Sequence, residues 1–91
     1  MDWDPFKDLA NQRKHGVSFR EAETVLDDPL VSIEEDRDHS LKEARYQATG
    51  TSGRERLLVV VIVALDDDTA RIISARRPMK GERHDYEDRQ A

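Results

Sequence analysis

At 91 residues the chain has room for one domain and one modest core. Its 36% hydrophobic and 38% charged residues are too polar for a membrane protein and too rich in clustered aliphatics for a disordered one, and the absence of cysteine excludes disulfides and thiolate metal sites. A net charge of −5, taken as a total, argues against a nucleic-acid partner.

Met1-Asp2-Trp3-Asp4-Pro5 lacks the basic start and apolar stretch of a signal peptide, so the cytoplasm is the expected compartment. It also leaves little length for an N-terminal strand. Asp4 before Pro5 predicts a helix start, because the carboxylate accepts orphan amide hydrogens and proline suits the first helical position. This helix is expected to run to about His15 and stop at Gly16, with Phe6, Leu9, Ala10 and Arg13 on one face and Lys7, Asn11 and Lys14 on another. Trp3 is assigned to the core beside Phe6. Ser18 and Glu21 read as a capping box for a second helix whose apolar face is Phe19, Ala22, Val25 and Leu26, ended by Asp28-Pro29.

After Pro29 the period changes to two. Leu30, Val31 and Ile33 suggest a strand, followed by a polar turn at Arg37-Asp38-His39-Ser40. Glu43, Arg45, Gln47 and Thr49 then alternate with Ala44, Tyr46 and Ala48, the pattern of a half-buried strand, and Gly50 to Arg54 turns the chain. Leu57 to Ala64 is continuously apolar and mostly β-branched, a central strand covered on both faces and far too short to span a membrane. Asp66-Asp67-Asp68 turns back into a last strand, Arg71 to Ala75. Pro78 opens a final helix to about Arg89, with Met79, Glu82, Arg83 and Tyr86 on one side; Gly81 weakens it by ~1 kcal/mol relative to alanine. The expected fold is α+β: two N-terminal helices, a four-stranded antiparallel meander sheet and a C-terminal helix, in a single domain over residues 1–91.

Charge is unevenly distributed. Arg20 to Asp38 holds eight acidic and two basic residues, whereas Arg71 to Arg83 holds five basic and one acidic. The chain is electrically two-sided, and such blocks are ordinarily solvated surface. The three histidines lack His-x-x-x-His spacing, and the aspartate triplet lacks the glycine and distal glutamate of a calcium loop, so no metal or cofactor is expected. Ser18, Ser40, Ser52 and Ser74 lie outside any nucleophile elbow, and no glycine-rich phosphate loop is present. What remains is a set of cationic and acid/base groups: Lys14, Arg45, Arg76, Glu82 and Tyr86. Cleaving RNA without metal needs a base for the 2′-hydroxyl, an acid for the leaving oxygen and cations for the phosphorane charge. Each also has an ordinary structural reading: Lys14 capping a helix end, Arg45 paired with Glu43 or a sheet neighbour, Glu82 and Tyr86 as a helix surface pair.

Trp3-Asp4-Pro5 with Lys7 and Asn11, Lys14-His15-Gly16-Val17-Ser18-Phe19, Ala22 and Asp28-Pro29 form one set of motifs, and Glu43-x-Arg45, Gly50, Arg71-Ile72-Ile73-Ser74-Ala75-Arg76-Arg77, Glu82-Arg83 and Tyr86 form another. The first closely resembles the opening of the BrnT toxin family, and the second is similar to that family's second half. The resemblance implies a RelE-like fold and a ribonuclease that blocks translation by cutting RNA. It also implies a BrnA antitoxin with a ribbon-helix-helix domain, operator DNA being bound only through the toxin–antitoxin complex. Lys14, Arg76, Glu82 and Tyr86 match family motif positions; His15 joins them as a catalytic candidate, and Arg45, Arg71, Arg77, Lys80 and Arg83 are the candidate RNA contacts. The competing reading is a non-catalytic protein-binding module within a repressor complex.

Overall fold

In the computed structural model, which describes residues 1–39 and 42–89, the helix caps form as the sequence dictates. Helix α1 spans Pro5–His15; the Asp4 carboxylate accepts the Phe6 amide at 2.8 Å, and Gly16 ends the helix at φ 69°, a left-handed conformation that glycine adopts without a Cβ penalty. Helix α2 spans only Phe19–Glu23 and tightens into a 3-10 turn, Thr24–Asp27, rather than continuing as one helix to Asp28. The Ser18 hydroxyl accepts the Glu21 amide at 3.1 Å, half of the expected capping box, but the Glu21 carboxylate is taken elsewhere, by Arg56 and Ser52.

The sheet has five strands: β1 (Asp2–Trp3), β2 (Ser32–Glu35), β3 (Arg45–Thr51), β4 (Leu57–Ala64) and β5 (Ala70–Arg76), in the order β1-β5-β4-β3-β2. Strands β2 to β5 form the expected antiparallel meander. The four-stranded, all-antiparallel expectation fails at the N-terminus, where β1 pairs parallel to β5 through Asp2 opposite Arg71 and Trp3 opposite Ile72. A two-residue strand has no period to detect; only its partner defines it. A 3-10 turn, Arg37–His39, follows β2, and Ser40 of the expected turn lies outside the described residues. Helix α3 spans Lys80–Asp88, starting two residues after Pro78. Among the described residues no helix is long and apolar enough to cross a membrane.

Cross-strand pairing sorts side chains onto two faces. One face buries Ala48, Leu58, Val60, Ile62, Ile72 and Ala75 against Val17, Phe19, Ala22 and Val25. Ile72 and Ala75 are three positions apart and on a regular strand would point to opposite sides. A β-bulge supplies one extra residue, Ile73, so both enter the core while Arg71, Ser74 and Arg76 share the other face with Val63, Val61 and Val59. Trp3 packs edge-on to Phe19, with ring centroids 6.4 Å apart, instead of beside Phe6. Gly50 is required by crowding: a Cβ there would lie 3.0 Å from an Asp28 oxygen and 3.1 Å from Val25.

Helix α1 is turned the opposite way from its apolar pattern. Phe6 is 82% and Leu9 52% exposed, whereas Asn11 is buried. Beyond the end of β1 the outer edge of β5 takes a side chain in place of a strand: Asn11 Nδ2 donates to the Ala75 and Val17 carbonyls, each at 2.8 Å, and Asn11 Oδ1 accepts the Ala75 amide at 3.1 Å. Three hydrogen bonds to buried backbone outweigh the exposure of two apolar side chains in deciding which face docks.

Candidate active site

The last strand and the last helix meet at Arg76. Arg76 ends β5 on the face opposite the main core, and Arg77-Pro78-Met79 carries the chain into α3. The Arg76 guanidinium closes on Glu82 as a fork, Nη1 to Oε1 at 2.8 Å and Nη2 to Oε2 at 2.9 Å, and Nη1 also reaches the Arg77 carbonyl at 3.2 Å. Glu82 Oε1 accepts the Met79 amide at 2.8 Å, so the same carboxylate caps α3. The Arg76 hydrogen bonds hold the Glu82 carboxyl below the usual carboxylate range, against a burial that works the other way; Glu82 in turn holds the Arg76 guanidinium above its ordinary value.

Tyr86, one turn further along α3, is buried. Its hydroxyl donates to Asp28 Oδ2 and lies 3.0 Å from Thr51 Oγ1, while the Thr51 amide donates to the same Asp28 oxygen at 2.7 Å. Burial of Asp28 opposes its ionisation, but the Thr51, Tyr86 and Leu30 hydrogen bonds outweigh it and leave the carboxyl below its usual range. Tyr86 thus ties α3 to β3 and to the loop after the 3-10 turn; the guanidinium of Arg89 stands 5.5 Å from its ring centre.

The C-terminal turn of α1 lies at this same end of the sheet. The Gly16 carbonyl accepts from Arg56 Nη2 at 3.1 Å, Arg56 immediately precedes β4, and Val59 of β4 opposes Arg76. Asn11 is bonded to Ala75, the neighbour of Arg76, and His15 follows one turn later on the same inward side, half-buried, with Lys14 exposed beside it. The fold therefore gathers Lys14, His15, Arg76, Glu82 and Tyr86 toward one end of the sheet.

Arg45 and Arg71 share the sheet face of Arg76 but not its end. Both oppose Val63, four residues along β4 from Val59, or about 13 Å at strand rise. Arg71 is paired with Asp2 at 3.0 Å. Arg77 and Lys80 are exposed at the start of α3, and Arg83 lies 3.6 Å from Glu87. Sequence reasoning passed over Gln47, Thr49 and Ser32, which line a polar groove running from Glu82 to Arg89 between α3 and the sheet. The signal was present in the polar row of the alternating strand. Among the described residues no group of three or more histidine, aspartate or glutamate side chains is placed to hold a metal ion.

A comparison with curated proteins finds no match. The description "ribonuclease toxin, BrnT, of type II toxin-antitoxin system" belongs to a family whose profile matches residues 3–82, from β1 through the Arg76–Glu82 fork. With nearly its whole length matched, the chain belongs to the BrnT family of ribonuclease toxins of type II toxin–antitoxin systems.

Proposed function

We propose that the chain is a metal-independent endoribonuclease that inhibits translation by cutting RNA and is silenced by a BrnA-type antitoxin with a ribbon-helix-helix domain. The observation that carries the site assignment is the part-exposed Arg76–Glu82 fork at the sheet end where α1 finishes and α3 begins. A planar guanidinium that already grips two carboxylate oxygens is shaped to grip two oxygens of a phosphodiester. RNA binding then exchanges one anion for another: the scissile phosphate takes the Arg76 fork, and Glu82, released from the cation that keeps it weakly basic, becomes able to accept a proton.

In the proposed reaction the 2′-oxygen attacks phosphorus as its proton passes to Glu82, or to Lys14 in its neutral form. The phosphorus–O5′ bond breaks, and the leaving oxygen takes a proton from His15 or Tyr86. The products are a 2′,3′-cyclic phosphate and a 5′-hydroxyl. Of the two acids the geometry favours His15, because the Tyr86 hydroxyl is committed to Asp28 and Thr51. Arg77, Lys80 and Arg83 flank the fork as backbone contacts. Arg45 and Arg71, displaced along the sheet, suit phosphates away from the cleaved bond.

The test is incubation of the purified chain with RNA in excess EDTA, followed by analysis of the product ends. Cleavage that persists and leaves cyclic phosphate is the expected result. Cleavage abolished by EDTA and restored by a divalent ion overturns the chemistry, and no cleavage under any condition favours the binding-module reading.

A further inference from the structure

Helix α1 spends its polar side on the protein and shows its apolar side to water. Asp8 accepts the Phe19 amide at 2.9 Å, Asn11 is buried on Ala75, and His15 is half-buried. At about 100° per residue the opposite side carries Phe6, Leu9, Ala10 and Arg13, all exposed, with Lys7 and Lys14 along one flank. Every exposed charged residue of this helix is a cation, in a chain whose net charge is −5; its single acid, Asp8, is engaged by Phe19 and Gln12. An aromatic and a leucine side by side at 82% and 52% exposure, edged by one sign of charge, have the composition of an interface centre with a charged rim.

We propose that this outer face of α1 is the seat of the antitoxin, and that the antitoxin segment occupying it is both apolar and acidic. Its aliphatic or aromatic side chains cover Phe6, Leu9 and Ala10, and its carboxylates face Lys7, Arg13 and Lys14. The inference rests on the chain being a toxin with an antitoxin and on none of the catalytic assignments. A protein fits better than RNA, because the one ring, Phe6, is followed along the face by Leu9 and Ala10, which offer no second ring for the next base; Lys7 and Lys14 stand at the flank, and Arg13 lies a turn beyond Leu9. Because Lys14 lies at the Arg76 end, a segment seated along the helix also covers one entrance to the candidate active site.

The experiment measures binding of the product of the neighbouring antitoxin gene to the full chain, to a Phe6→Ser/Leu9→Ser double variant and to Arg13→Glu, by titration calorimetry at two salt concentrations. The double variant is expected to bind roughly 100-fold more weakly, the size of a lost interface anchor pair. Arg13→Glu is expected to bind roughly 10-fold more weakly and to lose most of the salt dependence. RNA cleavage by both free variants stays at the level of the unaltered chain. Equal affinity of all three proteins overturns the seat alone. Unchanged antitoxin binding with impaired cleavage in the double variant also overturns it, by assigning the face to RNA. If the unaltered chain gives no complex, the toxin–antitoxin reading fails and the seat fails with it.

Discussion

Glu21–Arg56 and Glu82–Arg76 are the same chemical pair in two settings. In the first, Glu21 is 4% exposed and Arg56 28%; Arg56 Nε and Nη2 both bond the carboxylate, the Ser52 hydroxyl adds a third donor at 2.7 Å, and Arg56 Nη2 reaches on to the Gly16 carbonyl. Both carboxylate oxygens have protein donors, and the pair joins α2, the turn after α1 and the β3–β4 turn. In the second, both side chains are about a quarter exposed, at 26% and 25%, and the guanidinium presents its end rather than its side. The difference bears on exchangeability: the first anion is enclosed by the fold, whereas the second stands where, on the proposed function, an anion arriving from solvent takes its place.

The comparison is broken most directly by removing each arginine. Arg56→Ala leaves a buried carboxylate without its cation, and an unfolding midpoint in denaturant should show a loss of about 3 kcal/mol; a loss below about 1 kcal/mol would mean the pair is no fastener. Arg76→Ala should do the reverse, cutting the RNA cleavage rate by roughly 10²-fold or more while costing less stability than Arg56→Ala, about 1–2 kcal/mol. Arg76→Lys restores charge without the fork and should recover only part of the rate. Full activity in Arg76→Ala, or activity lost in step with folding, removes Arg76 from the site.

Tyr86→Phe sharpens the same contrast one turn along α3. Losing the bond to the Asp28 carboxylate should cost about 1.5 kcal/mol in thermal unfolding and change the cleavage rate by less than about tenfold. A rate loss of roughly 10² with little destabilisation would instead make Tyr86 the proton donor. The smallest effect is in acid. Glu21, Glu82 and Asp28 all have folded pKa values below their ordinary ones, so the native state binds fewer protons than the unfolded chain. Their contribution is complete above the usual carboxylate values of about 4 and is lost as pH falls through the lower folded values. Stability against pH, measured from 7 to 2.5, should decline below about pH 4, and less steeply in Arg56→Ala, which lacks the Arg56 share of the Glu21 shift. A decline already complete at pH 5 would contradict the direction assigned to these groups.

What was legible in the sequence was local. Asp4, Gly16 and Ser18 mark helix ends through bonds made within a few residues, and the apolar run of β4 needs no partner to announce a central strand. The candidate site was legible as far as its residues sit on one strand and the helix after it: Arg76, Glu82 and Tyr86 are close in sequence, and the turn at Pro78 folds them together. What escaped was set by distant partners. β1 exists only because β5 is beside it. The outward turn of Phe6 and Leu9 is decided by Asn11 finding Ala75, 64 residues away. Glu21 looked like half of a capping box until Arg56, 35 residues on, took its carboxylate. The bulge at Ile73 is likewise invisible to a period-two reading, although it sends Arg71, Ser74 and Arg76 to the side away from the core.

The two oxygens of Glu82 carry a further consequence. Oε1 serves both the Met79 amide and Arg76, while Oε2 serves Arg76 alone. The helix start and the anion grip are therefore wired to one carboxylate, and the backbone at Met79 registers what Arg76 is holding. In the proposed exchange, a phosphate that takes the fork leaves the Glu82 carboxylate with the Met79 amide as the remaining one of these partners. On that proposal the Met79 amide proton is a built-in reporter, expected to shift in an NMR titration with oligonucleotide.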